Sequence, residues 1–408
     1  MASSRPVSLI GVPTDVGAGH RGARLGPEAL RIAGLPEALA ARGVDVRDVG
    51  NLQGPRNPWT APVDGYRHLD EVVAWNRALM DATYAELCDG RMPIMLGGDH
   101  CLGMGSVTAV ARWCREQGKN LRVLWLDAHA DFNTQAGHGH AVQVARRSER
   151  LGVEVGVRVQ PQHAQRLAGK PLRVLWLDAH ADFNTQAGHG HAVQVARRSE
   201  RLGVEVGVRV QPQHAQRLAG KPLRVLWLDA HSDFNTCEVT PSGNIHGMPV
   251  ACLCGLGPDA LTRLGGTSPA ILPQQVRQIG IRSVDQDEKR LIKQHQVDVY
   301  DMRYIDEAGM KRTMEAALAG IDADTHLHVS FDVDFLDPSI APGVGTTVPG
   351  GVNYREAQLV MEMIADTGLM GSLDIVELNP LLDRRNRTAK LAVDLVESLF
   401  GKSTLMRD

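Results

Sequence analysis

Short apolar runs alternate along this chain with segments whose apolar residues recur at helical spacing. Residues 105–117 are of the second kind, since Val107, Val110, Ala111 and Cys114 fall on one face of a helix. The first kind, short runs rich in strand-forming residues, occupies 7–12, 92–96, 223–228, 276–281, 297–302, 326–331 and 373–378. Strands that alternate with helices predict a three-layer α/β/α fold, in which helices cover both faces of a central, mostly parallel sheet.

One segment of the chain is present twice without a single change. Residues 121–171 recur at 172–222, and the first 14 of them recur again at 223–236. The third, partial copy has Ser232 where the first two have Ala130 and Ala181. Solenoid repeats drift while keeping their core positions, so an exact copy indicates a very recent duplication, a deliberate construction or an error in assembling the sequence.

The domain organisation follows from treating the repeat as an insertion. We expect a single domain formed by 1–120 and 223–408, interrupted by a duplicated insertion at 121–222. Each inserted copy has elements of its own, which the pattern of the first copy places at 141–151 (helix), 153–159 (strand) and 162–168 (short helix).

Composition narrows the classes of function. The chain is 43% hydrophobic and 22% charged, with a net charge of −3, as in an ordinary globular protein. The near-neutral charge gives no support for a nucleic-acid partner, and no apolar stretch approaches the ~20 residues of a membrane span. Six irregularly spaced cysteines indicate a reducing compartment. We therefore expect a cytoplasmic protein with a small-molecule substrate.

Ligand-type side chains follow the predicted strands at their carboxyl ends. Gly-Gly-Asp-His comes after 92–96, Asp-Ala-His-Ser-Asp after 223–228 and Asp-Val-Asp after 326–331, while Glu377 lies in the last predicted strand. Because ligands of such sheets bind at this edge, these residues form one candidate site. The candidate metal ligands are His100, Asp229, His231, Asp233, Asp332 and Asp334.

This donor set predicts a pair of divalent cations. Four carboxylates held close together repel one another, and two cations remove that repulsion. Carboxylate-rich ligation with some imidazole suits Mn²⁺, with Mg²⁺, Zn²⁺, Fe²⁺ and Co²⁺ as less favoured candidates.

Several motifs together resemble the ureohydrolase family and, within it, the arginases. They are GGDH at 97–100, DAHSDFNT at 229–236, SGNIHGMP at 242–249, SFDVDFLDP at 330–338, VELNP at 376–380 and the opening segment 11–31. The resemblance implies an arginase/deacetylase-like sheet, a homo-oligomer (trimer or hexamer) and two manganese ions. In that family pattern His100 and Asp233 hold one ion and His231 and Asp334 the other, with Asp229 and Asp332 bridging.

The resemblance also implies a reaction, the hydrolysis of L-arginine to L-ornithine and urea by a hydroxide between the metals. Glu377 would orient the guanidinium group, His246 would shuttle protons, and Asp233 would accept a proton while binding metal. Asn235, Ser242 and Asn244 match residues that meet the α-carboxylate, Asp285 and Glu288 match residues that meet the α-amino group, and Thr346 matches a further active-site position. An agmatinase or guanidinobutyrase-like enzyme remains an alternative, as does a protein that the insertion has impaired.

Three copies of the metal-ligand strand compete for one position in the sheet. They carry Asp127/His129/Asp131, Asp178/His180/Asp182 and Asp229/His231/Asp233. The third copy is favoured because Asn235, Ser242 and His246 follow it at the spacing of the family. A long insertion ahead of the strand costs only loop-closure entropy, which grows slowly with length.

Overall fold

The computed structural model of the chain describes residues 5–117, 153–159, 204–210 and 221–405, the two middle ranges by their backbone only. It divides into two compact units, Met1–Cys114 with Pro222–Asp408, and Arg115–Lys221. Within the described ranges, no helix has the length and apolar character needed to cross a bilayer, and no two cysteines form a disulfide.

The first unit is built on one sheet of eight described strands, and every pair of neighbours is parallel. Their order across the sheet is β2-β1-β3-β10-β9-β6-β7-β8. In chain order the strands of the protein are β1 (Val7–Gly11), β2 (Val46–Asn51), β3 (Met92–Leu96), β4 (Val153–Val159), β5 (Val204–Val210), β6 (Leu223–Leu228), β7 (Val276–Ile281), β8 (Asp298–Asp301), β9 (His326–Asp332) and β10 (Met370–Val376).

Helices pack on both faces of this sheet. They are α1 (Gly26–Ile32), α2 (Leu35–Ala41), α3 (Leu69–Cys88), α4 (Gly103–Glu116), α5 (Pro249–Leu253), α6 (Asp259–Thr262), α7 (Gln286–His295), α8 (Met302–Ala308), α9 (Met310–Ala317), α10 (Tyr354–Thr367) and α11 (Arg387–Leu399). Helices α1, α2 and α8 to α11 contribute to one apolar core, and α3 to α6 contribute to another.

Strand β6 shows why there are two cores. Its Leu226 and Leu228 belong to one core, whereas Val225 and Trp227 belong to the other. Successive side chains of a strand point to opposite faces, so the two cores lie on opposite faces of the sheet. The predicted α/β/α class is thus confirmed, and the continuous apolar runs are explained by strands that are buried on both sides.

The structure departs from the predicted strands at two places. Strand β2 is not predicted, because its six residues are all half-buried or exposed at the edge of the sheet and form no apolar run. The placement of Glu377 inside the last strand is wrong, since β10 ends at Val376 and Glu377 follows with a φ of +62°. Its backbone N–H donates to the Gly98 carbonyl at 2.8 Å, which turns the chain away from the strand direction.

The third copy of the repeated strand is the one that the structure places in the sheet. It forms β6, which pairs with β9 on one side and with β7 on the other. The ligand triplets Asp127/His129/Asp131 and Asp178/His180/Asp182 lie outside the described residues, as do the helices predicted at 141–151 and 162–168.

The second unit contributes one described element, a two-stranded antiparallel sheet. Strand β4 coincides with the strand predicted at 153–159, and β5 is the same seven-residue sequence in the second copy. The register pairs Gly156 with Gly207 at the centre of the sheet. The two copies therefore pair with each other symmetrically about one equivalent glycine.

Deletion of residues 121–222 tests whether the repeat is an insertion. We expect the shortened chain to fold with an unchanged or higher melting temperature, because β6 keeps both neighbouring strands. Each halving of the connection from α4 to β6 also recovers about 0.6 kcal/mol of loop-closure entropy. Thermal unfolding monitored by circular dichroism measures this, with deletion of 172–222 alone as the intermediate control. A shortened chain that does not fold would show that the repeat is part of the core.

Candidate functional site

Side chains from four consecutive strands of the sheet meet at its carboxyl edge. These strands are β3, β10, β9 and β6, and parallel strands end at the same edge. His100 begins the 3-10 helix that follows β3, Asp229 comes directly after β6, Asp332 is the last residue of β9 and Glu377 follows β10. Residues far apart in sequence are thereby brought together.

His100 lies at the centre of a first group of carboxylates. Its Nδ1 is 3.0 Å from Asp229 Oδ2, 3.1 Å from Asp233 Oδ2 and 3.0 Å from Asp332 Oδ2. The His100 ring is almost completely buried, and its Nδ1 makes no hydrogen bond of normal geometry with any described residue. One nitrogen facing three carboxylate oxygens is the arrangement of a metal ligand among its co-ligands.

A second group forms around His231 and shares one carboxylate with the first. His231 Nδ1 is 3.0 Å from Asp334 Oδ2 and 3.6 Å from Asp229 Oδ1. The candidate ligand atoms of His100, Asp229 and Asp332 lie within 4.8 Å of one another, as do those of Asp229, His231 and Asp334. The His231 side chain is 27% exposed, against 2% for His100, so the site opens to solvent on the His231 side.

Burial and mutual repulsion shift the pKa values of these carboxyl groups. Burial and the charge of Asp229 raise the pKa of Asp233 to about 7. Burial and neighbouring carboxylates likewise raise the pKa of Asp332 and Asp334 above the ordinary value. Burial also opposes ionisation of Asp229, but its contacts with the two histidines outweigh this and lower its pKa. The cluster cannot be fully ionised at neutral pH without compensating positive charge.

The residues fit a centre for two divalent cations. Imidazole and carboxylate donors in this ratio suit Mn²⁺ among the common ions. Besides His100 Nδ1, the buried Asp233 Oδ2 has no hydrogen-bond partner among the described residues. Two buried donor atoms without partners, in a cluster with excess negative charge, are what a cation site requires.

Two side chains that hold the ligands were not singled out from the sequence. Trp227 stacks on His100 with ring centroids 4.1 Å apart, and its Nε1 donates to Asp229 Oδ2 at 2.9 Å. Ser330 Oγ lies 2.8 Å from His100 Nε2. Each residue stands two positions before an aspartate of the cluster, so the two-residue period of a strand already places it on the same face.

Beside the metal-ligand cluster, a histidine and a glutamate form a hydrogen-bonded pair. His246 Nδ1 is 3.0 Å from Glu377 Oε1, which also accepts the backbone N–H of His100 at 2.9 Å. Burial lowers the pKa of His246, but the contact with Glu377 outweighs it and raises the value to about 9. Burial opposes ionisation of Glu377, yet His246 lowers the pKa of that carboxyl. The pair is therefore an imidazolium and a carboxylate at neutral pH.

Two residues of the site have a left-handed backbone. The φ angle is +52° at Asp233 and +62° at Glu377, a region that side chains other than glycine rarely adopt. The Asp233 carbonyl accepts from Val250 N at 3.0 Å in the first turn of α5. Such conformations persist only where surrounding contacts hold them, and at both positions they direct a carboxylate toward the site.

Most of the residues predicted to bind the amino-acid end of a substrate lie on loops beside the cluster, and Glu288 lies in the first turn of α7. Asn235 Nδ2 donates to Asp285 Oδ2 at 3.3 Å, and Ser242 Oγ accepts from Asn244 N at 3.2 Å. The amide oxygens of Asn235 and Asn244 are buried and lack hydrogen-bond partners among the described residues. Thr346 Oγ1 lies 3.5 Å from Asp334 Oδ2, at the edge of the metal-ligand cluster.

Glu288 has a structural task in this loop region. It is buried, and its two carboxylate oxygens accept backbone hydrogen bonds from Phe234 at 2.9 Å and from Asp285 at 3.1 Å. The second bond closes a capping box at the start of α7. Glu288 thereby ties the chain after β6 to the helix that carries Asp285.

Comparisons with known proteins agree on one family. The model of the Arginase family matches residues 5–160 and 206–401. The arginase of Brucella melitensis is 35% identical over 405 residues, covering 98% of this chain and 97% of the relative. The structure of the arginase from Bacillus caldovelox matches with a TM-score of 0.69 at 32% identity, covering 98% and 100% of the two chains. The arginase of Entamoeba histolytica, solved in complex with L-ornithine, matches with a TM-score of 0.66 at 25% identity, covering 98% and 99%.

The raised pKa of His246 predicts a pH-dependent contribution to stability. The imidazolium form is favoured in the folded protein, so this contribution is complete below the unfolded pKa of about 6.5 and is lost as pH rises through about 9. We expect His246→Asn to lower the free energy of unfolding of the metal-stripped protein by roughly 2 kcal/mol more at pH 6 than at pH 9.5. Denaturant titrations of both proteins at the two pH values measure this. Equal differences would show that the pair with Glu377 does not hold the proton.

Proposed function

Because the chain belongs to the arginase family, we propose that it hydrolyses L-arginine to L-ornithine and urea. It is a hydrolase of that family, which acts on C–N bonds of linear amidines. The observation that carries the proposal is the cluster of two histidines and four aspartates beside the His246–Glu377 pair. A cytoplasmic location and a homo-oligomer, trimeric or hexameric, belong to the same proposal.

In the proposed enzyme, six side chains hold two manganese ions. His100 and Asp233, whose side chains lie 3.1 Å apart, would hold one ion, and His231 and Asp334, 3.0 Å apart, would hold the other. Asp229 and Asp332 would complete the donor set, and Asp229 belongs to both groups of donor atoms. When bound, the ions supply the nucleophile by lowering the pKa of water to near neutrality.

Glu377 orients the guanidinium group. Its Oε1 is engaged by His246 and the His100 amide, while its Oε2 would lie 3.5 Å from a Cβ added at Gly345. With glycine at 345, no side chain of that residue occupies the space beside Oε2. An ionised carboxylate with an open oxygen is a suitable partner for a planar cation that donates several parallel N–H groups.

Proton transfers are assigned to His246 and Asp233. With a pKa of about 9, His246 carries a proton on its imidazole at neutral pH and gives it to the departing δ-amino group of ornithine. Asp233 accepts the proton that the attacking water loses, at a carboxylate oxygen next to His100. His246 is thus the proposed general acid of the hydrolysis, and Asp233 is the proposed general base.

The loop residues favour an amino-acid substrate over an amine. Asn235 and Asn244 offer amide N–H groups and Ser242 a hydroxyl group for an α-carboxylate, and Asp285 offers an exposed carboxylate for an α-ammonium group. Agmatine lacks that carboxylate and would leave these groups unpaired. The complex of the Entamoeba histolytica arginase with L-ornithine supports an amino-acid product. The agmatinase-like alternative is weakened by the Ser242–Asn244 segment ahead of His246.

A substrate panel tests the reaction. We expect the manganese-loaded full chain to release urea from L-arginine at least 100-fold faster, in kcat/KM, than from agmatine or 4-guanidinobutyrate. Ser242→Ala should reduce the ratio of kcat/KM between arginine and agmatine, because it raises KM for arginine alone. Agmatine has no α-carboxylate that the Ser242 hydroxyl could bind. Colorimetric urea assays provide both numbers. Preference for agmatine would instead assign the alternative activity.

Loss of one metal ligand tests the two-ion centre. We expect Asp334→Asn to lower bound manganese from two ions per chain to one or fewer, and urea release by on the order of 100-fold or more. Metal analysis after gel filtration gives the stoichiometry. Asp324→Asn, an exposed aspartate ahead of β9, is the matched control and should bind two ions. Full manganese content in Asp334→Asn would contradict the assignment.

A further inference from the structure

The one difference between the three copies falls at a fully buried position. Over their shared 14 residues the copies differ only where the third has Ser232 and the others have Ala130 and Ala181. Beyond the end of β6, Ser232 Oγ donates to Oε1 of Gln278 in β7 at 2.6 Å, and Gln278 Nε2 donates to the Ser232 carbonyl at 2.5 Å. Both side chains are completely buried.

The other contacts of β6 do not distinguish the copies. Leu223–Leu228 pair with β7 and β9 through residues that all three copies possess. The metal ligands and Trp227 are likewise present in each copy. The copies also differ in whether the extra residues precede or follow the strand. This changes the lengths of the two connecting loops, and the loop-closure entropy depends only weakly on length.

An alanine at this place would leave a buried acceptor unpaired. Gln278 Oε1 would lose the hydroxyl that donates to it, while the second hydrogen bond, to a backbone carbonyl, would survive. An unsatisfied buried polar group shifts an equilibrium by roughly tenfold or more. The first and second copies carry that alanine, so each of them fits the strand position less well than the third.

We propose that the hydrogen bond from Ser232 to Gln278 selects which copy of the metal-ligand strand enters the sheet. Residue 232 then decides which of three nearly identical segments of the chain forms β6. The competing explanation is that the direct covalent connection from Thr236 into the loop that carries His246 decides the choice. The selection concerns folding, so it stands independently of the proposed reaction.

Moving the hydroxyl from the third copy to the first separates the two explanations. In the full-length double variant Ser232→Ala/Ala130→Ser, the fragment that contains the serine covers 121–134 instead of 223–236. Its mass distinguishes it from the two fragments that contain alanine. Hydrogen exchange with mass spectrometry should find this fragment protected to within threefold of the serine-bearing fragment of the parent chain. Exchange at least tenfold faster than in the parent would overturn the proposal in favour of the connection.

Bound manganese gives a second, independent readout. In the parent chain Asp229→Asn should weaken manganese binding at least tenfold and Asp127→Asn should leave it unchanged. In the double variant this order should reverse. If Asp229→Asn stays the damaging change there, the hydroxyl does not select the copy.

A single substitution covers the case in which the double variant does not fold. Ser232→Ala alone makes the three copies identical over 14 residues. In that background Asp229→Asn should retain more bound manganese than Asp229→Asn in the parent chain, because another copy takes the position. Equal losses in the two backgrounds would reject the proposal.

Discussion

The fold must hold several buried carboxylates close together against their mutual repulsion. Four aspartates converge on two histidines at one sheet edge, and their separation is set by strands that are hydrogen-bonded in a fixed register. Because burial and mutual charge oppose ionisation, the arrangement costs stability unless cations or protons neutralise it. The apolar cores on the two faces of the sheet supply the rigidity that keeps such groups together.

A few specific contacts hold the metal-ligand side chains in place on this rigid sheet. Trp227 fixes one histidine and one aspartate at once, since its ring stacks on His100 while its N–H binds Asp229. The chain also comes very close to itself here, because a Cβ on Gly98 would lie 1.8 Å from the Thr14 carbonyl oxygen. A larger residue at 98 would push apart the segments that follow β1 and β3, and with them the turn that carries His100.

The sequence predicts those parts of the molecule that follow from periodicity and strand ends. The buried strand β3 shows a continuous apolar run, and the residues that follow the parallel strands meet at one edge of the sheet. The edge strand β2 has no such run. The left-handed turn at Glu377 and the hydrogen bond from Phe234 N to Glu288 depend on contacts with segments distant in sequence, which no local pattern records.

The pairing of β4 with β5 shows what the duplication changes for the seven-residue sequence VEVGVRV. In the antiparallel register Glu154 stands opposite Arg209, and Arg158 stands opposite Glu205, with the two central glycines facing each other. The sequence is therefore self-complementary, like the two halves of a symmetric dimer contact. A chain with one copy would carry an open strand edge whose best match is on a second molecule. Two copies in one chain supply that match internally, at the high effective concentration of a tethered partner.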